Sequence, residues 1–284
     1  MSKTGTLFVI ATPIGNIKDI SLRALEVLKG LKYLLCEDTR TTRKLLNYYK
    51  LGSKELISFY KDVEKNKVEK VLNILKTGED VGLVSEAGTP ILSDPGATLV
   101  RKCHEEGIKV VPIPGASALT ATISASGINA SSGFVFLGFL PKKDSEKERI
   151  LNTVSAPLPL IIFESPHRVK STLSFFLKLW GDCECFIARE LTKAYEELKW
   201  TNLTELLKRE NFKGEITLVI LPPAEKKSCS IEQKTALKRA LEVAKCLTSQ
   251  GLEIKEAVKR AAKAFDLSPK EVYSFYVKQE KSKT

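Results

Sequence analysis

Short apolar runs rich in β-formers alternate with stretches of helical spacing through most of the chain, and each run ends on residues that break regular structure. Leu7-Phe-Val-Ile-Ala11 predicts a buried strand that delivers the loop Thr12-Pro-Ile-Gly-Asn16. Ser21 reads as the N-cap of a helix that sets Leu22, Leu25 and Leu28 on one face and ends near Gly30. Tyr33–Cys36 predicts a second strand, which delivers Glu37-Asp-Thr-Arg40 as its loop. The spacing of Val68, Val71, Leu72 and Leu75 predicts a helix over 66–76, and Gly82–Ser85 a strand whose loop is Glu86–Gly96. A short helix over 97–106 and a strand at Lys109–Ile113 follow, and Pro114-Gly-Ala-Ser-Ala118 opens a helix rich in small residues. Alternating strands and helices predict an α/β fold with a mainly parallel sheet.

The pattern changes at Ser131-Ser-Gly133. Beyond it, strands are predicted at Phe134–Phe139, Leu160–Phe163, Cys185–Ala188 and Glu215–Leu221, with helices at 144–155, 166–179 and 203–209. This reads as a second α/β domain. Pro222-Pro223 marks a linker into a helical tail, where Ser268-Pro-Lys-Glu271 forms a capping box that joins two short helices into a helix-turn-helix-like pair. The expected organisation is thus an N-terminal α/β domain (1–117), a second α/β domain (118–224) and a helical extension (225–284).

Charge adds a partner to this picture. The 45 Lys and Arg against 34 Asp and Glu leave a net +11, and residues 225–284 alone carry 14 basic and 8 acidic groups, or +6. An excess of that sign favours a polyanion, with a solvated helical surface as the plain alternative. The longest apolar stretches, such as Leu7–Ala11 and Leu158–Phe163, fall far short of the roughly 18 to 20 residues that span a bilayer. The N-terminus lacks the length and cleavage site of a signal peptide. A cytoplasmic protein without a membrane segment is expected. Six cysteines at 36, 103, 183, 185, 229 and 246 have no framework spacing and read as reduced thiols. With His104 and His167 as the only imidazoles, no bound metal is expected.

The loops Thr12–Asn16, Glu86–Gly96 and Pro114–Ala118 all follow strands and are built from Gly, Pro, Ser and Thr. Such loops gather at the carboxyl edge of an open α/β sheet and suggest a small-molecule cleft made largely of main chain. Ordinary tight turns are the plain alternative for any one of them. No Walker A motif, no G-x-G-x-x-G after the first strand and no G-x-S-x-G is present, which weighs against phosphoryl transfer, hydride transfer and serine hydrolysis.

A series of phrases carries a specific resemblance: Ala11-Thr-Pro-Ile-Gly-Asn16, Glu37-Asp-Thr-Arg40, Ser85-Glu-Ala-Gly-Thr-Pro90, Ser93-Asp-Pro-Gly96, Pro112-Ile-Pro-Gly-Ala-Ser117, Gly138-Phe-Leu-Pro141, Glu164-Ser-Pro-His-Arg168 and Ala188-Arg-Glu-Leu-Thr-Lys193. In order and over about residues 5 to 221 they resemble the ribosomal RNA small subunit methyltransferase I family, whose fold is that of the tetrapyrrole methylases. The basic tail resembles that family's C-terminal extension. The resemblance implies an S-adenosylmethionine-dependent enzyme that methylates the 2′-hydroxyl of a cytidine in the decoding region of 16S ribosomal RNA, acting on naked RNA or the assembled 30S subunit. It also implies a homodimer of two-domain subunits. Carried over by motif, Pro13, Ala87, Gly88 and Asp94 line the methionine side. Ser117, Ala118, Phe139 and Leu140 complete the pocket, and Glu215 and Thr217 approach the adenosine. Glu86 departs from the family's aspartate, and Tyr195 stands where histidine is common, which weakens that position as a base.

Methyl transfer to an alcohol is an in-line displacement that needs alignment, exclusion of water and help for a weak nucleophile. Asp38 or Glu190 is expected to orient or deprotonate the hydroxyl, while Arg40 and Lys193 bind phosphates or the alkoxide. Thr39, Glu164, His167, Arg168 and Arg189 are expected at the substrate, the arginines as phosphate clamps. The alternative is that Glu164–Arg168 and Arg189–Glu190 are salt bridges holding the second domain. Trp180 and Trp200 are expected to pack there, with base stacking as a further role. A tetrapyrrole or protein-histidine-derivative methyltransferase of the same fold, and a noncatalytic RNA-binding factor, are the competing functions.

Overall fold

A computed structural model describes residues 4–154, 156–223, 227–265, 267–270, 272–274 and 276, with the side chains of 61–63, 65, 66 and 227–235 excepted. Glu271 of the capping box, and the side chain of Cys229, lie outside the described residues. The chain divides into two compact units, one of residues 1–141 with 158–221 and one of 142–157 with 222–284.

The first unit holds two five-stranded sheets. In the first, β1 (Leu7–Ile10), β2 (Tyr33–Cys36), β3 (Glu55–Ser58), β4 (Val81–Val84) and β5 (Val110–Ile113) are all parallel, in the order β3-β2-β4-β1-β5. Helices α1 (Leu22–Gly30), α2 (Thr39–Tyr48), α3 (Lys61–Lys76) and α4 (Ala97–Glu105) connect the strands, and α5 (Ala118–Ser126) leaves the sheet. A parallel sheet is covered on both faces, so its central strands read as continuous apolar runs. β4 accordingly is buried at every position. Two clusters form around it: Leu7, Leu35, Phe59, Leu72 and Leu99 on one face, and Ile10, Leu28, Leu34 and Leu46 on the other. Ser21 caps α1 as its sequence predicts, accepting from the Ala24 N–H at 3.2 Å.

The second sheet orders β6 (Val135–Phe139), β7 (Leu160–Glu164), β10 (Ile216–Ile220), β8 (Glu184–Arg189) and β9 (Glu197–Asn202) as β6-β7-β10-β8-β9. β6 and β7 are parallel and every other pair is antiparallel. α7 (Val169–Trp180) and α8 (Leu203–Leu207) belong to this half. Trp180 packs on Phe176 in the core, while Trp200 lies 37% exposed on β9 with its indole N–H on the Ser126 carbonyl at 2.8 Å.

The second unit contains α6 (Asp144–Leu151), α9 (Lys227–Ser249) and α10 (Ile254–Ala264). Ala240, Ala244, Val258, Ala261 and Val272 form its own small core. Among the described residues, no helix is long and apolar enough to cross a membrane, and no group of three or more potential ligands gathers to hold a metal.

Three elements differ from the expectation. Glu37-Asp-Thr-Arg40 is only half a loop, because Asp38 caps α2 and Thr39 and Arg40 are its first turn. β3 and β9 are edge strands that the apolar pattern does not mark.

Candidate functional site

The loops after β1, β4 and β5 meet at the carboxyl edge of the parallel sheet, held to each other through main chain. The Thr12 N–H donates to the Gly88 carbonyl at 2.9 Å and the Gly88 N–H to the Thr12 carbonyl at 3.0 Å. The Ser85 hydroxyl donates to the Gly88 carbonyl at 2.9 Å, and the Thr89 hydroxyl to the Ala116 carbonyl at 3.2 Å. Gly88 has φ +81°, a left-handed backbone that suits glycine, and Ile91 and Ser93 share that region at +75° and +79°. Three such residues within six positions make a tightly wound loop, of the kind that strained backbone marks at binding sites.

The second sheet faces these loops. The Asn16 N–H donates to the Thr192 hydroxyl at 2.8 Å. Gly15 passes so close that a Cβ there would lie 2.6 Å from the Leu191 carbonyl oxygen. Between the two sheets opens a cavity of about 600 Å³, within the usual range for a small-molecule site.

Of the residues expected at the cofactor, Pro13, Ala87, Gly88, Asp94, Ser117 and Ala118 line this cavity from the first sheet's loops. Phe139, Glu215 and Thr217 line it from the second. Leu140 does not; its side chain is buried and its carbonyl accepts from the Arg168 guanidinium. Glu164 and Lys193 also reach the cavity wall. Asp38, Thr39, Arg40, Glu190, His167, Arg168 and Arg189 are not on it. Residues that line it without an expected site role include Glu37, Thr41, Phe163 and Ser165. Glu37 and Ser165 fall within the phrases that carry the resemblance, while Thr41 and Phe163 carry no local signal.

The charged side chains are mostly spoken for. The Asp38 carboxylate accepts the Arg40 N–H at 2.7 Å and the Arg40 guanidinium at 2.8 Å, contacts that hold it down at about 2. Arg40 is otherwise open to solvent. The Glu164 carboxylate is fully buried, accepting from the Thr172 hydroxyl and the Ser165 N–H at 2.8 Å each, with Arg168 at 3.3 Å. Arg189 and Arg209 both hold Glu197, and Arg189 also donates to the Tyr195 carbonyl at 3.2 Å. Arg168 and Arg189 thus both have internal partners, as the salt-bridge alternative anticipates for Glu164–Arg168; Arg189 takes Glu197 in place of Glu190. His167 is exposed.

Lys193 is the basic residue of the cavity wall, among the described residues. Its ammonium donates to Glu190 at 2.9 Å and Glu215 at 3.0 Å. Burial opposes its charge, but those carboxylates outweigh it and raise its proton affinity. Glu190 in turn accepts from the Glu215 N–H at 2.9 Å and is held below its ordinary range. The opposite wall is acidic. Burial, with the charges of Glu37 and Glu86, pushes Asp94 up to about 6, and burial with Glu86 raises Glu37. A cavity with main-chain loops and uncompensated carboxylates on one side suits a ligand that is polar and carries positive charge.

The family described as Tetrapyrrole (Corrin/Porphyrin) Methylases matches residues 6–207. Ribosomal RNA small subunit methyltransferase I of Bacillus subtilis is 36% identical, covering 98% of this chain and 96% of that protein. The protein of the same name from Thermotoga maritima is 42% identical, covering 76% of this chain and 98% of its own. Among solved structures, a diphthine synthase superposes with a TM-score of 0.61 at 15% identity, covering 81% of this chain and 95% of that one. The uroporphyrin III C-methyl transferase of Thermus thermophilus gives 0.54 at 16% identity over 76% and 97%. Those two likenesses speak for the fold, while the sequence relatives extend the match through the site's loops and beyond. The chain belongs to the tetrapyrrole methylases and, within them, to the ribosomal RNA small subunit methyltransferase I family.

Proposed function

We propose that the protein transfers the methyl group of S-adenosylmethionine to the 2′-hydroxyl of a cytidine in the decoding region of small-subunit ribosomal RNA. The observation that carries this reading is the cavity between the two sheets, with its main-chain loops on one side and its unpaired carboxylates around Asp94. The names of the relatives supply the class of acceptor. Pro13, Ala87, Gly88, Asp94, Ser117 and Ala118 would hold the amino-acid part of the cofactor, and Phe139, Glu215 and Thr217 its nucleoside part. Once bound, the cofactor supplies a methyl group activated on a positively charged sulfur.

This chain's residues do the rest. The loops would hold the cofactor in one orientation toward an acceptor in the cavity, which would supply alignment. Phe139 is 54% exposed at the rim, edge-on to Phe163, and offers a ring on which an extruded base can stack. Lys193, tethered by Glu190 and Glu215, presents its charge where an alkoxide or phosphate would lie. Arg168 holds the main chain of Leu140 beside Phe139, and Arg189 braces Glu197; they position the wall. Asp38 locks Arg40 at the start of α2, from where Arg40 meets flanking phosphates, with Thr39 and His167 on the outer surface.

The RNA would lie along basic surface. Residues 39–54 contain Arg40, Arg43, Lys44, Lys50 and Lys54 and no acidic side chain. In the second unit, Lys255, Lys259 and Lys263 recur every four positions on α10. The protein is proposed to act in the cytoplasm as a homodimer, on ribosomal RNA or the assembled 30S subunit. Calorimetric titration with S-adenosylmethionine tests the cofactor directly. Binding is expected, weakened at least tenfold by Asp94→Asn; no binding would remove the enzymatic reading and leave the RNA-binding factor.

A further inference from the structure

Glu37 is the residue immediately after β2 and one before the cap of α2, so both elements fix its position. It lines the cavity, is half-buried, and its carboxylate has no hydrogen-bond or ion-pair partner among the described residues. The other carboxylates near the site lack that combination. Asp38 is outside the wall and bound to Arg40, Glu190 is bound to Lys193 and a main-chain N–H, and Glu164 is fully bonded. Glu215 pairs with Lys193 with its side chain 71% exposed, and Glu86 is exposed. Asp94 is the exception, and it lies in the loop assigned to the cofactor.

We propose that Glu37 is the general base for the acceptor hydroxyl. The inference rests on the methyl-transfer reading above. The hydroxyl oxygen gains a bond to the methyl carbon, the carbon–sulfur bond gives its electron pair to sulfur, and the proton passes to the Glu37 carboxylate. One cation and one carboxylate become a neutral thioether and a neutral acid, so charge balances. Burial, with the like charge of Glu86, keeps the Glu37 carboxylate a better proton acceptor than an ordinary surface glutamate.

Glu37→Gln keeps the shape and removes the base. Single-turnover methylation of unmodified small subunits is expected to slow about 100-fold or more, with S-adenosylmethionine and RNA affinities each within about twofold of wild type and partial recovery in Glu37→Asp. Retained rate in Glu37→Gln overturns the proposal, as does loss of cofactor affinity, which would make Glu37 a cofactor ligand. Failure of the wild-type protein to methylate RNA at all sinks the underlying reading instead.

Discussion

Asp94 shows how one residue couples the site to stability. Its carboxyl is shifted up to about 6, so the folded protein binds that proton more tightly than the unfolded chain, whose aspartate titrates near 3.9. The stability this contributes is complete below about pH 4 and lost as pH rises through about 6. Asp94→Asn, neutral throughout, should therefore melt about 2 °C higher than wild type at pH 8, after discounting for solvent screening, and no higher at pH 4. Equal differences at both pH values would contradict the burial account. Stability gained at the expense of ligand binding is the usual trade at such positions. Gly15 makes the complementary case. A methyl group there meets the Leu191 carbonyl and Thr192 hydroxyl at 2.6 Å each, so Gly15→Ala is expected to cost about 1–3 kcal/mol and to weaken cofactor binding, read by thermal melts and titration. An unchanged melting temperature would mean that the two loops separate without cost.

At the scale of elements, α2 carries the next prediction. Arg43 and Lys44 lie on a helix whose start is at the cavity, where Thr41 lines the wall. Replacing either by Ala should reduce the slope of log RNA affinity against log salt by about one, leaving S-adenosylmethionine affinity intact. An unchanged slope would place the RNA elsewhere. This helix was hidden in the sequence because its first turns, Thr39-Arg-Thr-Thr-Arg-Lys, hold three threonines, which are weak helix formers, and no apolar anchor; Thr42 and Leu46 are the buried residues. β3 and β9 were hidden for a related reason. Glu55-Leu-Ile-Ser and Glu197-Leu-Lys-Trp-Thr-Asn form sheet edges, so they lack the continuous apolar run of a central strand. The central strands β1, β2, β4 and β10 were legible because burial on both faces leaves no other composition. At the site, the glycine and proline loops showed where ligand meets main chain. Which charged side chains stay unpaired was not legible, since pairing depends on strand register and loop path, as in Arg189 with Glu197 across β8 and β9 and Arg209 with the same Glu197.

Over the whole molecule, charge is distributed toward a polyanion. The Thermotoga maritima relative is covered over 98% of its length by 219 aligned residues, so a protein of this family is made without about sixty of the residues present here. We propose that residues 225–284, which carry +6, serve RNA affinity and not the methyl-transfer chemistry. Converting Lys255, Lys259 and Lys263 to Glu should lower RNA affinity and flatten its salt dependence without changing S-adenosylmethionine affinity. Unaltered RNA binding would assign α10 another task. The central claim is tested most directly by methyl transfer from labelled S-adenosylmethionine to small ribosomal subunits from cells lacking this gene, followed by nuclease digestion and mass mapping. A single 2′-O-methyl group on a decoding-region cytidine is the predicted result. Cofactor binding without label in RNA would contradict it, keeping the fold and moving the acceptor to a tetrapyrrole or a protein.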